Sequence, residues 1–331
     1  MHRVIWYCSR TFPILVRLSI NYNGWLQLFS SHAQLKLYYN YLIIMNFFIN
    51  TPFRTSKPRH HGVTSLIDNG ATTRFFIDTI ESCAEMIDLV KFGWCTSIVT
   101  RDLKKKIDCL LANNIEYYFG GTLFEKALSQ NKLAEFHKFL KKYNCRIMEI
   151  SNGTLDISIE DKAKYISSFS QSFHVLSEVG KKDINEADDM PVSRWIEEIL
   201  SDLNAGAIKV VLESRESGMS GICDSHGNLR ADLVEGISHS SFRMTDAIWE
   251  APNKQLQTSL ISTFGPNVNL ANIHFEDVIG LETLRLGLRS DTFNLYNIDA
   301  TDYAINVPGR TSLKELEQRN NFGFINERKP K

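Results

Sequence analysis

The sequence predicts an α/β fold, a (β/α)8 TIM-like barrel in one domain with N- and C-terminal extensions, and three observations carry that expectation. Short apolar or β-branched runs alternate with helical patterns eight times between Ser65 and Leu288, and parallel strands need such helical crossovers. Asp68, Lys91, Glu149, Glu178, Glu213 and Glu250 each stand at or just before the end of one of these runs. Gly, Asn, Ser or Pro follows before the next helical pattern. In such a barrel those positions gather at the C-terminal rim, so charges far apart in sequence become one ring of polar groups. Third, no G-x-G-x-x-G and no Walker pattern occurs, which makes a doubly wound open sheet the second choice.

Taken in order, the segment T-P-F-R-T-S-K-P-R-H-H (51–61) is a proline-punctuated basic lead-in without a period. Strand one is Ser65–Asp68, closed by Asn69-Gly70. Residues 73–85 read as a helix, with Phe75, Phe76, Ile80 and Ala84 on one side. Strand two is Met86–Lys91. Thr100 then caps a helix over Arg101–Asn113, whose Leu103, Ile107, Leu110 and Leu111 form an apolar stripe. Strand three is Glu116–Phe119, and one long helical stretch runs from Leu123 to Tyr143.

Strand four is Arg146–Ile150, followed by a helix near Ile159–Gln171. The fifth strand is the most telling: Val175–Val179 stops abruptly at Gly180-Lys181-Lys182-Asp183, the way a buried parallel strand delivers polar groups to a barrel rim. A helix over Ser193–Asn204 leads to strand six, Ala207–Glu213, and to the glycine-bearing loop Ser214–Gly221. A helix at Arg230–Ile237, strand seven at Asp246–Glu250, a helix at Lys254–Phe264, strand eight at Asn267–Leu270 and a helix at Phe275–Leu288 complete the pattern.

The amino-terminal stretch differs from all of this. No Asp or Glu precedes Asp68, and aromatic residues crowd the first dozens of positions. The charge-free run Tyr38–Ile49 is too short to cross a bilayer comfortably, and the order of residues does not match a secretory signal. Residues 1–44 are therefore read as an extension upstream of a natural start at Met45. The barrel is expected over 45–293 and a loosely attached tail over 294–331.

A net charge of −1 provides no global field toward nucleic acid or an acidic membrane, and neither is expected as a partner. The six cysteines form no C-x-x-C pair and no Cys/His cluster at zinc spacing. They are expected to be reduced, as in a cytoplasmic enzyme.

Lys91 ends an apolar strand, and a lysine there either neutralises a neighbouring carboxylate or acts on a substrate. Glu149, Glu178, Glu213 and Glu250 taken singly read as solvated strand ends or structural ion-pair partners. As one ring they would repel severely unless lysines or a divalent cation neutralised them, and carboxylate oxygens suit Mg²⁺. Arg215 lies in a loop whose Ser214, Ser217, Gly218 and Gly221 can turn backbone N–H groups toward an anion, or which is simply a mobile glycine loop. Arg285 and Arg289, four apart, either bind a phosphate or pair with acids. Asn267, Asn269 and Asn272 around Pro266 read first as turn residues. No Ser-His-Asp pattern is present.

Several strings, read together, resemble one family. They are L-I-D-N-G (66–70), V-K-F-G-W-C-T-S (90–97), F-G-G-T-L-F-E-K (119–126), E-I-S-N-G-T (149–154), L-S-E-V-G-K-K-D (176–183), E-S-R-E-S-G (213–218) with G-I-C (221–223), E-A-P-N-K (250–254), G-P-N-V-N-L-A-N-I (265–273) and L-E-T-L-R-L-G-L-R-S-D-T-F (281–293). The stretch from Thr51 to Phe293 resembles the (2R)-phospho-3-sulfolactate synthase family, with Cys95 standing where that family's pattern has glycine.

The resemblance implies a TIM-like barrel that adds sulfite to phosphoenolpyruvate with Mg²⁺. It further implies Lys181 as general acid, with Lys91 and Glu178 in the catalytic set. Glu149, Glu178 and Glu213 become the metal carboxylates, supported by Asp68 and Glu250. Arg215, Ser217, Gly218, Asn269 and Arg289 become substrate-binding residues, and self-association into a homo-oligomer is expected. Two other readings stand beside it: a barrel kept for a heat-stress or protein-interaction role, as in a plant protein group that looks like a relative, and a lysine Schiff-base aldolase.

Overall fold

Alternation of side chains along eight short parallel strands decides this structure, a computed structural model that describes residues 49–180, 190–214, 218–224 and 226–296, with the backbone of 19–20 and 26–27. The chain divides into two compact units, Met1–Asn50 and Thr51–Lys331. In the first, the described residues form one antiparallel pairing of Ser19–Ile20 with Leu26–Gln27.

The second unit carries the strands β1 (Thr64–Asp68), β2 (Leu89–Phe92), β3 (Glu116–Phe119), β4 (Ile147–Ile150), β5 (His174–Val179), β6 (Lys209–Leu212), β7 (Ala247–Glu250) and β8 (Leu270–Ile273). Their hydrogen-bonded order is β3-β2-β1-β8-β7-β6-β5-β4, all parallel. The two ends of that order are consecutive in the chain, and the Gly121 N–H after β3 donates to the Glu149 carboxylate of β4 at 2.7 Å. The result is a nearly closed (β/α)8 barrel, as the sequence predicts.

Around it lie α1 (Thr73–Cys83), α2 (Thr96–Val99), α3 (Leu103–Ala112), α4 (Gly121–Ser129), α5 (Leu133–Lys142), α6 (Ile159–Ser170), α7 (Val192–Ala205), α8 (Ala231–Ser238), α9 (Lys254–Phe264) and α10 (Val278–Arg285). Apart from α2, whose one buried residue is Ser97, these helices turn apolar side chains toward the barrel, for example Phe76, Ile80 and Cys83 of α1. Where α4, α5 and α6 meet, the rings of Phe124, Phe136 and Phe169 pack edge to face with centroids 6.2 to 6.4 Å apart. No helix among the described residues is long and apolar enough to cross a membrane.

Four local expectations are corrected. The stretch Leu123–Tyr143 is two helices, because Asn131 adopts φ +56° and ends α4 in a left-handed turn that Asn tolerates. Thr100 does not cap α3; its hydroxyl donates back to the Thr96 carbonyl at 2.8 Å and closes α2. Strand two begins at Leu89, since Ala84–Met86 form a 3-10 turn. Strand eight is Leu270–Ile273 rather than Asn267–Leu270, because Gly265 at φ +86° and Pro266 occupy the turn before it.

Two cores follow from the pleat. One lies between strands and helices. The other fills the barrel with Val63, Leu89, Tyr118, Ile147, Leu176, Val211, Ile248 and Ala271. Its N-terminal end is closed by Arg285, which donates to the carbonyls of Pro266 and Val268 at 2.7 Å, and by Lys209, which donates to those of His60 and Thr245 at 3.0 and 2.6 Å.

Candidate active site

Two residues beyond the apolar interior layer, every strand with a period of two presents its next inward side chain. After Leu89 comes Lys91, after Ile147 Glu149, after Leu176 Glu178, after Val211 Glu213 and after Ile248 Glu250. All five are buried, at the C-terminal end of the barrel. Lys91 is the hub: its ammonium lies 3.0 Å from Glu149, 3.0 Å from Glu178 and 3.5 Å from Glu250. Glu178, Glu213 and Glu250 offer carboxylate oxygens that lie within 4.8 Å of one another.

The backbone around the cluster holds the acids in place. Glu149 accepts from the Gly121 N–H, and Glu250 accepts from the Ser214 N–H at 3.1 Å. A side chain at Gly121 would collide with Ser151, so the close approach of β3 and β4 depends on its absence. Gly180, at φ +130°, ends β5 where an added Cβ would stand 2.7 Å from the Glu213 Cβ. The β5 exit can pass the neighbouring carboxylate only with glycine there.

Burial by itself would lower the Lys91 ammonium. The facing carboxylates, Glu149 first, outweigh it and hold the group well above the ordinary lysine value. Burial lifts the Glu149 carboxyl to about 7 against the pull of Lys91. Glu149 Oε2 has no hydrogen-bond partner among the described residues. Such a set of clustered carboxylate oxygen donors fits a hard divalent cation.

The sequence-predicted residues divide clearly. Lys91, Glu149, Glu178, Glu213 and Glu250 come together. Asp68 does not join them: it faces outward, where Lys106 of α3 donates to it at 2.5 Å and the N–H groups of Gly70 and Ala71 donate to its other oxygen. Asn269 lies at the opposite end, its amide donating to the Thr245 and Ala247 carbonyls at 2.9 Å. The three-residue displacement of β8 moves it from the expected strand exit to the entry. Arg285 closes the barrel floor, and Arg289 is partly exposed beside Asp291 at 3.8 Å. Gly218 packs against Asn253 at the start of α9. Lys181, Arg215 and Ser217 lie outside the described residues.

Sequence reasoning missed Tyr118. Its register partner on β2 is Lys91, so it points inward, and its hydroxyl is 3.4 Å from Ser65 Oγ. Burial, then Glu149, pushes the phenol up. The sequence carries no signal for it: which tyrosine of E-Y-Y-F faces inward follows from its register with Lys91, which only the packed strands show.

Comparison with known proteins places the chain in a family. Residues 52–291 match the family described as (2R)-phospho-3-sulfolactate synthase (ComA). The chain is 52% identical over 250 residues to the phosphosulfolactate synthase of Bacillus subtilis (strain 168), an alignment covering 76% of this chain and 99% of that protein. It is 39% identical over 252 residues to the phosphosulfolactate synthase of Methanothermobacter thermautotrophicus, covering 75% of this chain and 97% of the relative. With the protein of the same name from Methanocaldococcus jannaschii it shares 41% identity over 236 residues, covering 70% and 94%. A family match over most of the chain and relatives at 39 to 52% identity show that this chain belongs to the (2R)-phospho-3-sulfolactate synthase family.

Proposed function

We propose that this chain is a phosphosulfolactate synthase, a carbon-sulfur lyase that joins sulfite to phosphoenolpyruvate with the help of Mg²⁺ to give (2R)-2-O-phospho-3-sulfolactate. The observation that carries the reading is the buried cluster at the barrel mouth, Lys91 among Glu149, Glu178 and Glu250, with Glu213 beside them. Glu178, Glu213 and Glu250, with Glu149 adjoining, would hold the cation. Bound there, Mg²⁺ would supply Lewis-acid stabilisation for negative charge developing on the substrate carboxylate.

In the reaction, sulfite sulfur bonds to the methylene carbon and the alkene pair moves toward the carboxylate. The adjacent carbon then takes a proton, for which Lys181 is the assigned acid. Lys91, held charged by its carboxylates, adds positive potential at the site floor, and Arg215 is assigned to an anionic group of the substrates. The charged state of Lys91 also counts against it as a Schiff-base nucleophile, which must be a neutral amine.

The test is incubation with phosphoenolpyruvate, sulfite and Mg²⁺, with mass detection of the adduct. Formation that EDTA abolishes supports the reading. Absence of product with all three present overturns it, and borohydride trapping of a carbonyl substrate would replace it with the aldolase.

A further inference from the structure

The Glu178 carboxylate owes its aim to something behind the strand. The β4–β5 ladder ends with Ile150 opposite Ser177, so the next peptide of β5 runs past the end of its neighbour. Lys162 of α6 reaches that peptide and donates to the Glu178 carbonyl at 2.7 Å. The same ammonium is 2.8 Å from Asp202 of α7, and Asp202 accepts from the Ser177 hydroxyl at 2.5 Å. Lys162, Ser177 and Asp202 are fully buried, on the side of β5 away from the barrel interior.

A buried ammonium and carboxylate are a costly pair to place where apolar side chains would pack as well. Their geometry accounts for the choice. Two helices each contribute one charge, and together these grip consecutive residues of one strand, the side chain of 177 and the carbonyl of 178. Fixing the peptide plane at the Glu178 carbonyl restricts rotation of the backbone that carries the Glu178 side chain. That side chain faces Lys91 on one hand and Glu213 and Glu250 on the other. A carboxylate released by even a fraction of an ångström would lose its share of a common cation.

We infer that Lys162 and Asp202 are positioning residues that, through the Glu178 peptide, hold the Glu178 carboxylate in the divalent-cation site. The inference rests on the cation-assisted reading above but is tested apart from turnover.

Mn²⁺ binding is titrated by electron paramagnetic resonance in the full-length wild type, in Lys162→Met, and in the milder Ser177→Ala and Asp202→Asn. Folding of each is verified by circular dichroism. The expected result is a Mn²⁺ dissociation constant raised at least tenfold in Lys162→Met and by a smaller factor in the milder variants. With substrates, the Mg²⁺ concentration for half-maximal rate should rise in parallel, while the KM for phosphoenolpyruvate at saturating Mg²⁺ changes less than twofold. Variants that melt earlier yet bind Mn²⁺ like the wild type would reduce the pair to a structural role and overturn the inference, as would a wild type that binds no Mn²⁺. Should Lys162→Met fail to fold, unchanged Mn²⁺ affinity in both milder variants overturns it equally. A wild type that binds Mn²⁺ but makes no adduct refutes the proposed reaction alone.

Discussion

The Lys91 ammonium donates to the Glu178 carboxylate at 3.0 Å across the barrel interior, although 87 positions separate the two residues. Neither group has bulk water to fall back on, and the Lys91 ammonium is held charged by its facing carboxylates, Glu149 first and Glu178 next. Replacing Lys91 with Met keeps the bulk and removes the neutralising charge from its three facing carboxylates. Loss of one partner from a buried ionic group costs about 3–5 kcal/mol. We expect Lys91→Met to lose that much stability in denaturant titrations without divalent cation, to recover part of it with Mg²⁺, and to fall at least 100-fold in turnover. Equal stability losses with and without Mg²⁺ would count against a shared cation.

Asp68 and Glu250 both end apolar strands, but only Glu250 faces the cluster. Asp68→Ala strands the buried Lys106 ammonium, so it should cost about 3–5 kcal/mol while leaving Mn²⁺ affinity unchanged. Glu250→Gln should do the reverse, with little change in melting temperature and cation affinity weakened at least tenfold. Melting curves and Mn²⁺ titrations of the two variants separate these outcomes.

Gly180→Ala should report on the contact between β5 and Glu213. The added methyl meets the Glu213 Cβ at 2.7 Å and the Trp195 ring at 2.8 Å, at a φ that L-residues rarely adopt. A loss of about 1–3 kcal/mol is expected, together with a fall in kcat as Glu213 is displaced. Steady-state kinetics at saturating Mg²⁺ would check the second effect.

Lys209 supplies a pH dependence remote from the site. Burial holds its ammonium down to about 8, against an ordinary value of 10.5. Between those values the unfolded chain keeps a proton that the native state has released, so stability rises with pH across that window. Below about pH 8 both states are charged and the cost of burying the ammonium is constant. The stability of the wild type relative to Lys209→Met should therefore increase by up to about 3 kcal/mol from pH 8 to 10.5. Urea titrations at the two ends would measure it; an unchanged difference would show that Lys209 is not held neutral.

Much of the architecture is legible in the chain because it is local. Eight β-branched or apolar runs, each closed by a turn residue, suffice to count the strands, and β3 and α9 fall where the pattern puts them, while β8 lies three residues later than expected. The failures are local as well. No Gly or Pro interrupts Leu123–Tyr143, so the two helices α4 and α5 read as one; only the left-handed turn, with Phe124 and Phe136 folded against each other, separates them.

By itself the sequence determined that Lys91, Glu149, Glu178, Glu213 and Glu250 close their strands, since a charge after an apolar run is a one-dimensional fact. It did not determine which face of the pleat each occupies, because a strand buried on both sides is apolar on both sides and its pattern carries no phase. Only the tertiary structure decided that Ile67 lies in register with Lys91 and points inward, which turns Asp68 outward to Lys106. Assembly likewise put Asn269 at the floor and brought Lys162 and Asp202 together behind Glu178. Those placements depend on strand register and helix docking, and both are settled only when distant segments pack.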